Sequence, residues 1–163
     1  MKKSIIILIG LLYLGICRGQ SEYVILSDQS TINELISTYK ILPENSTITE
    51  LSKAELNLIE KKSQEYIEIY NARVNEEFKK RGEKKKYIKM YQIMKLKNYK
   101  IQYVPYLNEK GEKEIWINGF CTEFDSDWRK EIISVFDGGN CYFTIRLNLS
   151  TGICLSIGTN GYA

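Results

Sequence analysis

Residues 52–80 read SKAELNLIEKKSQEYIEIYNARVNEEFKK and contain neither proline nor glycine, the two residues least compatible with a helix interior. Thr49 or Ser52 can supply the N-cap of a helix, and Glu55, three residues after Ser52, completes a capping-box pattern. Gly82 is a suitable stop. Mostly apolar and aromatic side chains recur at helical spacing along one face: Ile59, Ser63, Tyr66, Ile67, Tyr70, Val74 and Phe78. The segment therefore predicts one long amphipathic helix that packs against a sheet.

A β-hairpin is predicted after this helix. Residues 99–107 and 113–121 are rich in β-branched and aromatic side chains, and the turn sequence Asn-Glu-Lys-Gly, ending at Gly111, lies between them. A glycine at that position can take the left-handed conformation that follows a type I turn. Pro105 cannot donate a ladder hydrogen bond, so its strand is expected to lie at an edge or to carry a bulge.

Further strands are expected on both sides of the helix and hairpin. The clearest covers residues 141–149, where apolar and polar residues alternate as in a strand with one buried face. The other strands are predicted over residues 22–27, 36–42 and 153–158. A short helix is predicted from Asp125 and Asp127 to the glycines at 138 and 139.

The order of these elements indicates the fold class. Early strands, a long helix and a closing meander predict an α+β fold, in which the helix packs on an antiparallel sheet of four to six strands. By analogy this arrangement resembles cystatin-like or NTF2-like architectures, and a fold shared with them would not determine function.

The N-terminal segment has the layout of a secretory signal peptide. Lys2 and Lys3 precede an apolar run over residues 5–14. This run of about ten residues suits a signal peptide, whereas a membrane-spanning helix needs about 20. Cleavage is predicted near Gly19/Gln20.

Export would leave residues 20–163 as a single secreted or periplasmic domain, with residues 1–19 removed. A lipid anchor on Cys17 is the alternative. Lipoprotein signals place a small residue before such a cysteine, and this chain has Ile16. No stable membrane anchor is therefore expected.

The charge composition argues against a generally basic protein. The 163-residue chain has 23 basic and 20 acidic residues, and three of the basic residues lie in the predicted signal peptide. The rest of the chain is therefore balanced, and no nucleic-acid partner is expected. Residues 79–100 are a local exception, with ten basic residues against Glu83 alone. They could steer an anionic partner, or form a solvated helix end followed by a lysine-protected strand edge.

The chain contains no histidine. This removes Ser-His-Asp and Cys-His nucleophilic catalysis and the usual nitrogen ligand of zinc. The densest carboxylates are Glu123, Asp125, Asp127 and Glu131, which resemble a calcium loop in outline. Trp128 occupies the position where such a loop needs glycine, so helix capping explains the aspartates better. No metal, cofactor or catalytic residue is predicted.

Three cysteines follow the predicted signal peptide: Cys121, Cys141 and Cys154. If the strands on either side of the 121–141 interval are antiparallel neighbours, Cys121 and Cys141 lie at the same end of the sheet, and both share parity with apolar residues. A disulfide between them is predicted, closing a loop of about 20 residues. Cys154 has the opposite parity, so it is expected to face solvent and is the candidate free thiol.

Parts of the second half resemble short exported proteins of the Bacteroidetes. The resemblance is carried by residues 99–106, by residues 108–113 leading into Trp116-Ile117-Asn118, and by residues 137–143. It extends over residues 40–163 and implies a bacterial envelope or secreted setting. No assigned function and no catalytic residue come with it.

These observations favour a small extracytoplasmic binding or accessory module, which uses a sheet face or loops to hold a protein, peptide or glycan. One alternative is an envelope enzyme that uses Glu123, Asp125 or Asp127 beside Arg129 or Arg146. A concave acidic pocket would favour that enzyme. A surface-structural subunit is the other alternative.

Overall fold

A computed structural model describes residues 21–161. Within that range the chain forms three α-helices and a six-stranded sheet. In chain order the elements are β1 (Glu22–Ile25), α1 (Gln29–Ser37), β2 (Thr47–Ile48), α2 (Lys53–Lys80), α3 (Lys85–Tyr91), β3 (Lys100–Leu107), β4 (Lys113–Phe120), β5 (Tyr142–Asn148) and β6 (Ile153–Thr159). The predicted signal peptide lies outside the described residues.

The strands form one sheet in the order β1-β3-β4-β5-β6, which confirms the predicted α+β class. The sheet is mixed rather than purely antiparallel, because β1 runs parallel to β3. Both α1 and α2 lie in the connection between these two strands, and a parallel pair needs a long connection of this kind. The predicted hairpin is present as β3 and β4, and β5 and β6 complete the meander.

Pro105 lies inside the sheet and not on an edge strand. On one side it pairs with Ile115 of β4. On the other side, the pairing of β3 with β1 ends at Tyr103 and the pairing with β2 begins at Tyr106. Pro105 thus occupies a gap in that ladder, where a residue without an N–H group is tolerated.

Helix α2 has the predicted start and the predicted buried face. The Ser52 hydroxyl accepts a hydrogen bond from the Glu55 amide at 3.2 Å, and the Glu55 carboxylate accepts one from the Ser52 amide at 2.7 Å. This reciprocal pair satisfies two amides that the helix start leaves open. Five members of the predicted stripe are buried: Ile59, Ser63, Ile67, Tyr70 and Val74.

The predicted strand over residues 36–42 is wrong. Ile36 and Ser37 are instead the last residues of α1, and residues 38–42 form a turn and irregular backbone. The Asp28 carboxylate caps the start of α1 by accepting from the Thr31 amide at 2.9 Å. Ile32 and Leu35 are both fully buried against the sheet. This helix-type spacing of buried residues outweighs the local β preference of the isoleucines and threonines.

The helix predicted from Asp125 onward is also absent from the structure, which shows turns there. Side chains of the sheet donate hydrogen bonds to the backbone carbonyl groups of this segment. The Gln102 side-chain amide donates to the Trp128 and Glu131 carbonyls, each at 2.7 Å. The Asn118 amide donates to the Ile133 carbonyl at 2.7 Å. These long-range bonds satisfy backbone groups that a helix would have paired internally.

The two faces of the sheet carry separate cores. Helices α2 and α3 cover one face, where the sheet contributes Ile101, Ile115, Ile117, Phe143, Ile145 and Leu147. Helix α1 and the segment after β4 cover the other face, where the sheet contributes Val104, Tyr106, Trp116 and Phe120. No helix within residues 21–161 combines the length and apolar character needed to span a membrane.

Cys154 does not face solvent as the alternation in β6 predicts. The pairing between β5 and β6 shifts between Arg146, which pairs with Ser156, and Leu147, which pairs with Cys154. Leu155 is therefore the extra residue of a β-bulge, and strand parity reverses there. Cys154 turns toward the α2 core, and burial raises the pKa of its thiol. Among the described cysteines it is the one outside a disulfide, as predicted.

Gly119 is required by close packing within the sheet. A Cβ atom at this position would overlap the ring of its cross-strand neighbour Phe143. The Phe143 ring also packs against Tyr99, with 4.7 Å between ring centroids in an edge-to-face arrangement.

We expect Gly119→Ala to lower the free energy of unfolding by about 2 kcal/mol through overpacking. Urea unfolding of this variant beside Gly158→Ala, where an added Cβ meets no atom within 4 Å, measures the effect. Equal losses in both variants would contradict it.

Candidate functional site

A disulfide closes the segment that follows β4. Cys121 and Cys141 are bonded in the structure, with Cα atoms 5.1 Å apart and a sequence separation of 20. This is the pairing that strand geometry predicts. We call residues 121–141 the disulfide loop. It folds back over the face of the sheet that carries Trp116 and Asn118.

The disulfide loop is held to the domain at several points. Gln102 and Asn118 bind its backbone from below, as described above. Asn160, just beyond β6, donates from its amide to the Val135 carbonyl at 2.5 Å and the Asp137 carbonyl at 3.1 Å. Trp128 is buried against Phe120, with ring centroids 5.7 Å apart. A loop with these anchors is a preorganised wall rather than a flexible cover.

A cleft of about 250 Å³ opens between the disulfide loop and the segment after α1. Trp116, Asn118 and Thr144 form its floor on β4 and β5. The remaining lining residues come from the two walls and the ends: Tyr39, Ile41, Ile132, Ile133, Ser134, Val135, Phe136, Tyr142 and Asn160. All twelve lining residues are uncharged.

Aromatic rings mark both the floor and the rim of this cleft. The Trp116 side chain is buried in the floor, whereas Phe136 at the rim is 92% exposed. Across the cleft, the Tyr39 hydroxyl interacts with Ser134 of the disulfide loop and with Glu34 of α1. Burial, with a smaller contribution from Glu34, raises the pKa of Tyr39, which therefore stays a neutral phenol.

The polar groups left open in the cleft are mainly hydrogen-bond acceptors. The Asn118 amide nitrogen already donates to Gln102 and Ile133, and the Asn160 amide nitrogen donates to Val135 and Asp137. Within residues 21–161, neither of their side-chain oxygens accepts a hydrogen bond, and the Thr144 hydroxyl has no hydrogen-bond partner. The cleft is thus suited to a ligand that donates hydrogen bonds.

A buried polar network lies on the same sheet face, next to the floor of the cleft. Tyr106 donates to the Glu114 carboxylate at 2.5 Å. Arg146, the cross-strand neighbour of Trp116, donates to the Tyr106 hydroxyl and to Glu114, each at 3.2 Å. Asn108 donates to the other Glu114 oxygen at 2.7 Å. Every partner of the buried carboxylate is therefore a donor, as a buried charge requires.

This network is structural in character. Burial, reinforced by the hydrogen bond to Glu114, raises the pKa of Tyr106 far above its usual range. Burial alone would lower the pKa of Arg146. The electrostatic attraction and hydrogen bonds of Tyr106 and Glu114 are together stronger than this effect of burial, so the pKa of Arg146 is raised. Tyr106 is fully buried and the Glu114 side chain is only 6% exposed, so neither presents a reactive group to a ligand.

The carboxylates singled out from the sequence do not converge. Glu123 pairs with Lys100, and Asp127 pairs with Lys130 at 3.0 Å, which lowers the pKa of Asp127. Arg129 pairs with Glu22 of β1, far in sequence from the other acids. Within residues 21–161 there is no group of three acidic or thiol side chains placed to hold a metal ion.

The residues that shape the cleft were missed at the sequence level. Gln102 and Asn118 are neighbours across β3 and β4, and both are buried. Two amides at inward positions of adjacent strands were the available signal that a polar segment covers this face. Comparison with protein-family models, curated proteins and solved structures finds no match.

Proposed function

We propose that this protein is an exported binding module that holds an uncharged glycan in the cleft beside the disulfide loop. The observation that carries the proposal is a preformed cleft whose twelve described lining residues include four aromatic rings and no charged side chain. An ionised ligand group would lose its hydration in the cleft without gaining an opposite charge. Because this loss costs free energy, the cleft disfavours charged ligands.

The hydrogen-bonding groups support a hydroxyl-bearing ligand. Asn118, Asn160 and Thr144 leave oxygen acceptors open, and sugar hydroxyls are donors that can use them. Rings such as Phe136 offer an apolar surface for the C–H faces of a sugar. An uncharged peptide shares part of this chemistry, and it is a separate outcome of the test below.

The rigidity of the wall supports binding with little reorganisation. Cys121–Cys141 closes the loop, and amide side chains from β3, β4 and the segment after β6 hold its backbone. A site that is already ordered loses less conformational entropy when a ligand binds.

The site favours binding over the carboxylate enzyme considered as an alternative. Carboxylate catalysis needs acidic groups that face a common substrate space. Glu123 and Asp127 instead lie in surface ion pairs, and Glu114 is enclosed by its own donors. The lining of the cleft contributes no carboxyl group.

A secreted or periplasmic location is part of the proposal. Its supports are the predicted signal peptide over residues 1–19 and the disulfide, since disulfides persist mainly in oxidising compartments. No membrane anchor is invoked.

An array of neutral oligosaccharides tests the proposal, with uncharged and charged peptides printed beside them. We expect binding to neutral glycans, and Phe136→Ala should weaken it about tenfold because a stacked ring contributes on the order of 1 kcal/mol or more. Ile69→Ala removes a side chain that is 58% exposed on α2, away from the cleft, and serves as the matched control.

Three results would contradict the proposal: selective binding to peptides, binding only to charged probes, or equal affinity in Phe136→Ala and the native chain. Because Phe136 is almost fully exposed, its removal should leave the thermal unfolding temperature nearly unchanged, so a loss of binding reports on the cleft.

A further inference from the structure

Nine of the ten basic residues of the 79–100 run lie on the opposite side of the sheet from the cleft; the tenth, Lys100, contacts Trp128 and Glu123 of the disulfide loop. These nine residues occupy the end of α2, helix α3 and the turn that follows it. Of this run, Lys100 alone lies in a strand, and its strand is inside the sheet. The interpretation of the run as a lysine-protected strand edge is therefore wrong. Nine basic residues of this run are exposed, and Lys80 among them pairs with Glu76. We call the other eight the basic track: Lys79, Arg81, Lys84, Lys85, Lys86, Lys89, Lys95 and Lys97.

The basic track follows one side of α2. After α2 ends, the chain reverses, and the Phe78 and Tyr91 rings pack 5.0 Å apart. Further back along α2, Asn71 exchanges two 2.8 Å hydrogen bonds with the backbone of Ile93. Lys95 and Lys97 then line a shallow depression together with four residues of α2: Asn57, Glu60, Lys61 and Gln64. The segment thus runs antiparallel to the helix.

This course spreads the positive charges along a line. Arg81 and Gln64 are 17 positions apart in sequence, which corresponds to about 25 Å along a helix. The cations of the basic track are spread along this length of α2. Arg81 lies at one end, and Lys97 lies at the other end, beside Gln64. A small anion would use one point of such a line, whereas an extended polyanion would use all of it.

The track cations stand outside the ion pairs of the described domain, with Glu83 inside the run and Glu60 in the depression beside Lys95 and Lys97 as the carboxylates that accompany them. Two other lysines of the run, Lys80 and Lys100, pair with Glu76 and Glu123. No ion pair to a residue within 21–161 is formed by any of the eight track cations. Compensation of the α2 dipole explains Lys79 and Arg81 at its end, but not the cations that continue along α3 and beyond it.

We propose that the basic track binds a linear acidic polysaccharide along the side of α2. Charge complementarity and length carry this assignment. Tyr87, 40% exposed, is the one large apolar or aromatic side chain of residues 79–97 that is exposed. One ring is too little for base stacking along a single-stranded nucleic acid, and too little for insertion into a membrane.

Fluorescence anisotropy with labelled dextran sulfate at low salt tests this proposal, with neutral dextran as the blank. Lys84→Gln/Lys85→Gln/Lys86→Gln/Lys89→Gln should weaken binding tenfold or more and flatten the dependence of affinity on salt, because fewer counterions are released. A second variant, Lys95→Gln/Lys97→Gln, should lose less. The matched control changes four exposed lysines outside the track: Lys40, Lys53, Lys110 and Lys130.

The proposal is overturned if the track and control variants bind equally well, or if dextran sulfate is not bound at low salt. It is also overturned if oligo(dT) or vesicles rich in phosphatidylglycerol bind more tightly than dextran sulfate at equal charge concentration. The track and the cleft are on opposite faces of the sheet, so this test succeeds or fails independently of the cleft.

Discussion

Replacing Glu114 with alanine should lower the free energy of unfolding by about 3–5 kcal/mol, the largest effect of a single substitution that we expect in this chain. Glu114 receives hydrogen bonds from Tyr106, Asn108 and Arg146. Without the carboxylate, the Arg146 guanidinium stays partly buried with no opposite charge, and two neutral donors lose their acceptor.

Urea unfolding monitored by circular dichroism measures this loss. Glu109→Ala, in the exposed turn of the same hairpin, is the matched control and should change stability by less than about 0.5 kcal/mol. The double variant Glu114→Leu/Arg146→Met should recover much of the loss, because it removes both charges together. A loss below about 1 kcal/mol in Glu114→Ala would show that the network does not hold a buried charge.

Removing the disulfide should have the second-largest effect. Cys121→Ser/Cys141→Ser releases a 20-residue loop, which corresponds to about 3 kcal/mol in the loop-entropy treatment. Since this loop forms one wall of the cleft, glycan binding should weaken as well. Cys154→Ser, outside the disulfide, should leave binding unchanged.

Thermal unfolding with and without reductant, together with peptide mapping of the unreduced protein, measures the disulfide effect. Reductant should lower the unfolding temperature of the native chain and of Cys154→Ser, but not that of the double serine variant. A mapped linkage that includes Cys154 would contradict the structure, as would a native chain whose unfolding temperature is insensitive to reductant.

The elements that could be predicted from the sequence are those with strong local signals. The α2 prediction rested on the Ser52–Glu55 cap and a long helical stripe, and both are present. The β3–β4 hairpin followed from its turn sequence, which ends at Gly111 with a positive φ of 73°. The Cys121–Cys141 pairing required only that β4 and β5 be antiparallel neighbours, as they are.

The elements that were missed depend on contacts distant in sequence. Helix α1 has only nine residues, and its place is decided by burial of Ile32 and Leu35 on the sheet. The disulfide loop has turns instead of a helix because Gln102 and Asn118 bind its carbonyl groups. The inward position of Cys154 follows from a bulge that alternation along one strand does not reveal.

The cleft could not be predicted for the same reason. Tyr39, Trp116 and Phe136 come from the segment after α1, from β4 and from the disulfide loop, and only the folded chain brings them together. The clustered carboxylates of residues 123–131 were the visible chemical signal in the sequence, whereas the buried carboxylate of the fold, Glu114, is enclosed by its own donors. The uncharged lining forms only in the folded chain, because its residues come from segments that are distant in sequence.

The most direct test of the cleft as the ligand site is a ¹H–¹⁵N NMR titration of the native protein with the neutral oligosaccharide that binds most tightly on the array. We expect amide shift changes concentrated at residues 132–136, Thr144 and Asn160, and their loss in Phe136→Ala. Shift changes confined to α2 or to the outer edge of β6, with the cleft amides unmoved, would contradict it.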